Sequence, residues 1–484
     1  MILIIKKIIK NFLVNLLEFI QIYGFDIQKI QDINKKLIKI RGTKDPLVRL
    51  NLVESLVNTY PKNPKAHLEY INCLHSQNDS RQFESMNTYA AVMEEWLIEN
   101  KLSELNIEFI SLSMVVGSFG NHFAIENLLK ANKYGLRKPK KIYLLLPEKY
   151  QLRNPALFSY FEPYINVIRD SETIDALKSL ESNLTLPLGV GLPLGKICPF
   201  LDIVANMSEV RRIKLGIDEP LFKLKNEHHD FGKKILKKLG LPDDAWYVTL
   251  HVREPGYRGE NKKNTTEQWR NANCNDYIKS CKAITDAGGW VFRMGDDNMT
   301  PLPEMKQVID YAHSVDIRSD IMDIFLGATC RFLIGTASGY LDVPKYFGVP
   351  IIFTNCTQSS PYFNMKENDL YLPRLLKDKK THRYLSFEEY MSPPLSMIGT
   401  YDRFNKEGLV WVENTPEEIK DATLEMLKKT SKQNIAKSDD DLQRRFKLIA
   451  EKCGRKYGGH SVKAFASISQ EFIHKHSGLL LLEK

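Results

Sequence analysis

Several features are scarce in this sequence, and each absence excludes something. No amino-terminal run is apolar enough to span a bilayer. MILIIKKIIKNFLVNLLEFIQIYGF is broken by Lys6, Lys7, Lys10 and Glu18. Its uncharged stretch from Asn11 to Leu17 falls far short of the ~20 residues a spanning helix needs. No small-residue cleavage site follows a clean apolar core, so a signal peptide is not expected. The segment reads instead as an amphipathic helix, either packed on the helices after it or docked on an anionic membrane face. The seven cysteines (Cys73, Cys198, Cys274, Cys281, Cys330, Cys356 and Cys453) include no closely spaced pair of the zinc-site kind. Their number is odd, and the plain reading is reduced thiols in a cytosolic protein. No basic run carries interleaved aromatics, so the net charge of +9 fits anionic small ligands or an anionic membrane surface and not nucleic acid. An early G-x-G-x-x-G is also missing, which argues against a dinucleotide-type enzyme such as a sugar-nucleotide epimerase.

What is present describes a soluble globular chain. At 484 residues it is too long for one ordinary core, so several domains are expected. Residues 1–104 read as wholly helical. YPKNPKAHLEYINCLHSQNDSRQFESMNTYAAVMEEWL resembles a single tetratricopeptide-like hairpin, suited to packing or to a protein partner. The pattern changes at Leu105. IEFISLSMVV is strand-like, a glycine turn with Gly117, Gly120, Asn121 and His122 follows, then a helix, then the buried strand KKIYLLLP. Strand, turn, helix and strand make one βαβ unit, whose helix start suits a polar or anionic group. INVIRD reads as a further strand. LPLGVGLPLGKICPF reads as an irregular loop of the kind that overlies clefts.

The chemistry lies in residues 247–353. YVTLHVREPGYRG, GGWVFRMGDD and CRFLIGTASG each carry an apolar strand that ends in a polar cluster, with helical segments between them. A parallel sheet presents ligand sites at such strand ends. Alternation places His251 and Arg253 on one side of their strand and Val252 on the other. Arg253 offers a planar fork suited to phosphate, and Arg258 on the following loop adds a second cation. Glu254 has a competing role as a structural partner of Arg253. Gly295, Asp296, Asp297 and Asn298 offer carboxylates to ribose hydroxyls or a base edge, with divalent metal binding as the competing reading. In SDIMDIFLGA, Ser319 is placed as the helix cap and Asp320 in the first turn. Thr336, Ser338 and Gly339 form a turn whose backbone N–H groups suit phosphate. Near the carboxyl end, NTPEEIKDATLEML opens with Asn414 or Thr415 as cap and Pro416 in the first turn.

Taken together, HVREPGYR, GGWVFRMGD, SDIMDIFLGATCRFLIGTASG and FGVP resemble the donor domain of two-domain, GT-B-type glycosyltransferases. The likeness is to the fucosyltransferase-like group and, more closely, to a bacterial family of glycosyltransferase-like proteins known mainly from sequence. It covers roughly residues 105–475. It departs from the fucosyltransferases at Glu254-Pro255 and at Ala337-Ser338. The resemblance implies an α/β fold with two Rossmann-like domains after an all-helical amino-terminal region. The implied blocks are 1–104 helical, 105–225 acceptor-side, 226–400 donor-binding, and 401–484 helices that partly cross back. It implies a metal-independent transferase with no cofactor, moving a hexosyl or deoxyhexosyl group from a nucleotide sugar to a glycan, surface polysaccharide or protein. The setting it implies is bacterial, cytoplasmic or peripheral on the inner membrane face. Arg253 would hold the diphosphate with His251 beside it. Asp296 and Gly295 would lie near the nucleoside. Thr336, Ser338 and Gly339 would close on the phosphates. Gly117, Gly120, Asn121 and Glu126 would face the acceptor, with His122 or Glu126 as the base. The alternative is a non-catalytic nucleotide- or sugar-binding protein on a helical scaffold.

Overall fold

The computed structural model describes residues 27–77, 79, 81–99, 106–117, 119–133, 139–184, 190–191, 198–199, 220–255, 270–357, 365–392, 395, 401–431, 440–457 and 466–480. The amino-terminal amphipathic segment up to residue 26, most of the Gly/Pro-rich loop before residue 200, and Arg258 lie outside them. The chain forms two compact units, each assembled from discontinuous stretches. One takes residues 1–111, 131–150 and 165–203, and the other takes 112–130, 151–164 and 204–484.

In the first unit, four helices run Ile27–Arg41, Pro46–Thr59, Pro64–Gln77 and Arg81–Glu99. The second starts sharply because the Asp45 carboxylate accepts the N–H groups of Leu47 and Val48, and Pro46 follows at the first helical position. Ile33, Leu37, Val53, Leu56 and Leu74 meet in one apolar core. Glu69 is buried there, held by Arg41 at 2.7 Å and Arg49 at 2.5 Å. A three-stranded parallel sheet follows, ordered β1 (Ile107–Phe109), β2 (Lys141–Leu145) and β3 (Ile165–Ile168). Two short strands, β4 (Val190–Gly191) and β5 (Cys198–Pro199), pair antiparallel. The strand-like run after residue 105 is shorter than its apolar pattern implies, because Ser113–Val116 turns into a short helix.

The second unit is a seven-stranded sheet whose adjacent strands are all parallel. Its strands are β6 (Tyr247–His251), β7 (Trp290–Arg293), β8 (Val308–Ile309), β9 (Leu333–Gly335), β10 (Ile351–Cys356), β11 (Leu370–Pro373) and β14 (Ser467–Ile468). A separate antiparallel pair joins β12 (Leu375–Asp378) to β13 (Leu409–Val412). The order across the large sheet is β14-β11-β10-β9-β6-β7-β8. The chain therefore steps outward from β6 through β7 to β8, then returns to the other side of β6 with β9. That reversal makes the carboxyl ends of β6 and β9 a topological switch point, where open parallel sheets place ligand crevices. Strands β6, β9 and β10 are buried along their whole length, as expected for a sheet with both faces covered.

Helix caps agree with the sequence at two points. Ser319 accepts Met322 N–H at 3.2 Å to start the Asp320–Thr329 helix. Thr415 and Glu418 form a reciprocal capping box ahead of Pro416–Lys429. Gly232, in the Asn226–Lys238 helix, has a packing reason: a Cβ there would lie 2.1 Å from the Phe325 ring. The stretch after residue 400, read as helical, also supplies β13 and the edge strand β14. Both are too short for a period-2 pattern to register. Among the described residues no helix is long and apolar enough to cross a membrane. Cys73, Cys274, Cys281, Cys330, Cys356 and Cys453 are buried and form no disulfide.

Candidate active site at the β6–β9 switch point

A cavity of about 630 Å³ opens at the carboxyl ends of β6, β7 and β9. Its walls are made by the second unit alone. Residues from all three strand-end clusters line it: His251 and Arg253 after β6, Gly295, Asp296 and Asp297 after β7, and Ser338 and Gly339 after β9. Parallel pairing sets His251 beside Gly335, and a Cβ on Gly335 would lie 2.7 Å from the His251 carbonyl oxygen. Glycine there lets the two strand ends run close together.

Arg253 is anchored on three sides. Its backbone N–H donates to Thr336 Oγ1 at 2.9 Å. Its carbonyl accepts from Ala272 N–H at 3.0 Å, and its guanidinium donates to Asn271 Oδ1. Among the described residues the cation that pairs with Glu254 is Arg293. The Glu254 carboxylate accepts from Arg293 of β7 at 2.9 Å and from Thr300 N–H at 3.0 Å. Arg253 and Arg270 both line the cavity. Arg270 donates to the Ala337 carbonyl at 2.8 Å and so braces the β9 turn.

Among the described residues, the Ser338 hydroxyl and His251 Nδ1 at this end find no hydrogen-bond partner. His251 stacks on Tyr340, with ring centroids 5.6 Å apart and planes at 23°. Burial, then the cations of Arg293, Arg270 and Arg253, drives its imidazole down to about 3. The ring is therefore neutral near pH 7 and acts as a hydrogen-bonding group, not as a charge.

The other end of the cavity is acidic and mixed. Asp296 accepts Asn298 N–H at 3.1 Å and shapes its own turn. Asp297 lies 3.7 Å from Arg318. Gly295 adopts φ 147, where a Cβ would meet Met299 Sδ at 2.4 Å. Ser319, Asp320 and Asp323 contribute from the start of the Asp320–Thr329 helix, and Arg153 and Arg318 flank them. Asp323 accepts from the Tyr311 hydroxyl at 3.0 Å. Among the described residues, no three His, Cys, Asp or Glu side chains form a metal-ligand set.

Burial lifts the Asp323 carboxyl from 3.8 to about 7. The folded chain thus binds this proton more tightly than the unfolded chain. The associated stabilisation is complete below pH 3.8 and is lost as pH rises through 7. Asp323→Asn has no such proton to lose. We expect the stability of the variant relative to wild type to rise by about 2 kcal/mol between pH 5 and pH 8. Urea unfolding at the two pH values measures it, and a difference independent of pH contradicts the assignment.

The turn at Phe119–Asn121 also reaches the cavity. Phe119 lines it and meets Tyr340 edge-on at 6.3 Å. Gly120 and Gly339 touch backbone to backbone. A Cβ on Gly339 would sit 2.5 Å from Gly120 N, and one on Gly120 would sit 3.1 Å from Gly339 Cα. Main-chain obstacles cannot rotate aside, so Gly339→Ala should lose about 1–3 kcal/mol. Chemical unfolding tests this, and an unchanged midpoint contradicts it.

Several expected site residues lie elsewhere. Thr336 is buried and acts on the Arg253 backbone. His122 is fully buried, its ring 5.5 Å from Phe161, and the structure does not bring it to the cavity wall. Glu126 pairs with Lys130 one turn along its helix. Gly117 closes the Ser113–Val116 helix through Ser113 at 3.2 Å. Asn121 ends the Phe119–Asn121 turn. Conversely, Phe119, Arg153, Arg270, Arg318, Asp323 and Tyr340 line the cavity without having been singled out. Phe119, inside the glycine turn, and Tyr340, directly after the β9 turn, carry a positional hint.

No family model matches the chain, and no curated protein matches it. Among solved structures it is similar to the ADP-heptose LPS heptosyltransferase II of E. coli. Identity is 10%, coverage is 51% of this chain and 83% of that one, and the TM-score is 0.32. It is also similar to the dodecameric iron-containing heptosyltransferase TibC in complex with ADP-D-β-D-heptose, at 12% identity, 54% and 59% coverage and a TM-score of 0.31. A TibC structure from enterotoxigenic E. coli H10407 gives 10% identity, 51% and 57% coverage and a TM-score of 0.28. The chain spans less than two thirds of TibC. At these values the likeness assigns no activity and no residue role to this chain.

Proposed function

We propose that this protein is a glycosyltransferase that binds a nucleotide sugar in the switch-point cavity. One observation carries the reading: Arg253, Arg270, the unpartnered Ser338 hydroxyl and neutral His251 converge at adjoining parallel strand ends. That set suits a diphosphate. Two guanidinium forks supply charge, a hydroxyl supplies a donor, and the glycine turn lets backbone approach. The Asp296 turn and the nearby Met294, Met299 and Val315 suit a nucleoside, with carboxylate for ribose hydroxyls and apolar surface for the base. In glycosyl transfer the bond from the anomeric carbon to the diphosphate breaks as an acceptor hydroxyl attacks. Negative charge then grows on the leaving phosphate oxygen. Arg253 and Arg270 stabilise that charge in a site already organised for it. In this reading they take the part a divalent metal plays elsewhere. The sugar is a hexosyl or deoxyhexosyl group and the acceptor a glycan or protein hydroxyl.

A thermal-shift screen with GDP-, UDP-, ADP-, dTDP- and CMP-sugars tests donor binding. At least one class should raise the melting temperature of wild type and not of Arg253→Ala. No shift from any of them overturns the reading.

A further inference from the structure

Arg253 belongs to a longer chain of hydrogen bonds that runs beneath the cavity, and most of its members touch no cavity wall. Asn271 accepts the Arg253 guanidinium on its side-chain oxygen. The Asn271 backbone carbonyl in turn accepts from Arg374 Nη2. Arg374 is only 1% exposed, which is unusual for a guanidinium. It reaches the Asn271 carbonyl, Asn355 Oδ1 at 3.3 Å and Glu413 Oε1 at 3.1 Å.

Asn355 is held as tightly. It sits at φ 53 within β10, a left-handed backbone that non-glycine residues rarely adopt in a strand. Its N–H donates to Asn414 Oδ1 at 2.6 Å, and its own Oδ1 accepts Asn414 N–H at 2.9 Å. Its amide donates to the Tyr277 hydroxyl at 3.3 Å. Tyr277 bonds Thr354 at 2.6 Å, and Thr354 donates to the Gly335 carbonyl at 3.0 Å. Gly335 directly precedes Thr336, the residue that accepts the Arg253 N–H. The chain of bonds therefore closes on itself, with Arg253 gripped at its backbone from the β9 side and at its guanidinium from the β10 side.

A strained strand residue, a buried arginine and an asparagine are more than packing needs. We propose that Asn271, with Arg374 and Asn355 behind it, is a positioning residue that presents the Arg253 fork to a ligand diphosphate. This rests on the donor-site reading above. An arginine side chain has many rotamers, and holding one in place before the ligand arrives spares that ordering cost on binding.

The test is a double-mutant cycle with inorganic pyrophosphate as ligand, read by calorimetry. Asn271 is half-buried, and Asn271→Ala removes its side-chain acceptor for the Arg253 guanidinium while keeping its backbone carbonyl. Its affinity for pyrophosphate should fall about tenfold. In the Arg253→Ala background the same change should have no further effect. Arg374→Lys keeps the charge but cannot span Asn355 and Asn271 together, so it should show a smaller loss that also vanishes in that background. Unchanged melting temperature for Asn271→Ala establishes that the protein is folded. If Asn271→Ala loses the same factor in both backgrounds, or loses nothing while Arg253→Ala does, the positioning role is wrong and the donor site stands. If Arg253→Ala itself leaves pyrophosphate affinity unchanged, both fall.

Discussion

Arg253→Ala is expected to lower kcat/KM for nucleotide-sugar turnover by about 10²- to 10³-fold while leaving the fold intact. Arg253 is only 6% exposed, yet it lines the cavity. Its backbone ties to Thr336 and Ala272 do not need the side chain and persist in alanine. The effect should fall on both KM and kcat, because Arg253 holds the bound diphosphate and charge on the leaving phosphate is greater still in the transition state. Lysine at this position should recover only part of the loss, since an ammonium cannot make the two parallel bonds of a guanidinium. Steady-state kinetics with a melting curve measure both. A variant that loses activity only in proportion to lost folded protein contradicts the role.

Arg293→Met should cost about 3–5 kcal/mol of stability. The Arg293 side chain is 0% exposed and lies 2.9 Å from Glu254 and 3.4 Å from Asp310. It also donates to the Thr300 carbonyl at 3.0 Å. Methionine fills the space but leaves the Glu254 carboxylate, 8% exposed, with its cation gone. Breaking a buried pair from one side exceeds the worth of the pair, because the remaining charge stays desolvated. Adding Glu254→Gln should therefore restore at least about 1 kcal/mol. Urea unfolding of wild type, single and double variants measures it. A double variant less stable than Arg293→Met contradicts the pairing.

These two arginines show what was legible in the sequence and what was not. Strands β6, β7, β9 and β10 announce themselves as short apolar runs ending in polar turns, and the glycines at 295, 335 and 339 mark close approach. The partner of Glu254 was not legible. It depends on the parallel register that sets Leu250 beside Arg293, and register between strands some forty residues apart leaves no local trace. Arg153, Arg270 and Arg318 carry no signal because a cavity-facing arginine and a solvated one look alike in one sequence. Asp323 is one acid on an amphipathic helix until burial is known. His122 follows a glycine turn, as a cleft residue does, but packing against Phe161 decides its place. The contact of Gly120 with Gly339 joins two turns more than two hundred residues apart, and only the tertiary structure brings them together.

The most direct test is nucleotide release. Purified protein is incubated separately with GDP-, UDP-, ADP-, dTDP- and CMP-sugars, and free nucleotide is quantified for wild type and Arg253→Ala. The account predicts release from one nucleotide class by wild type and at least about a hundredfold less by the variant. Release from none of them, or equal release by both proteins, contradicts a donor site built around Arg253.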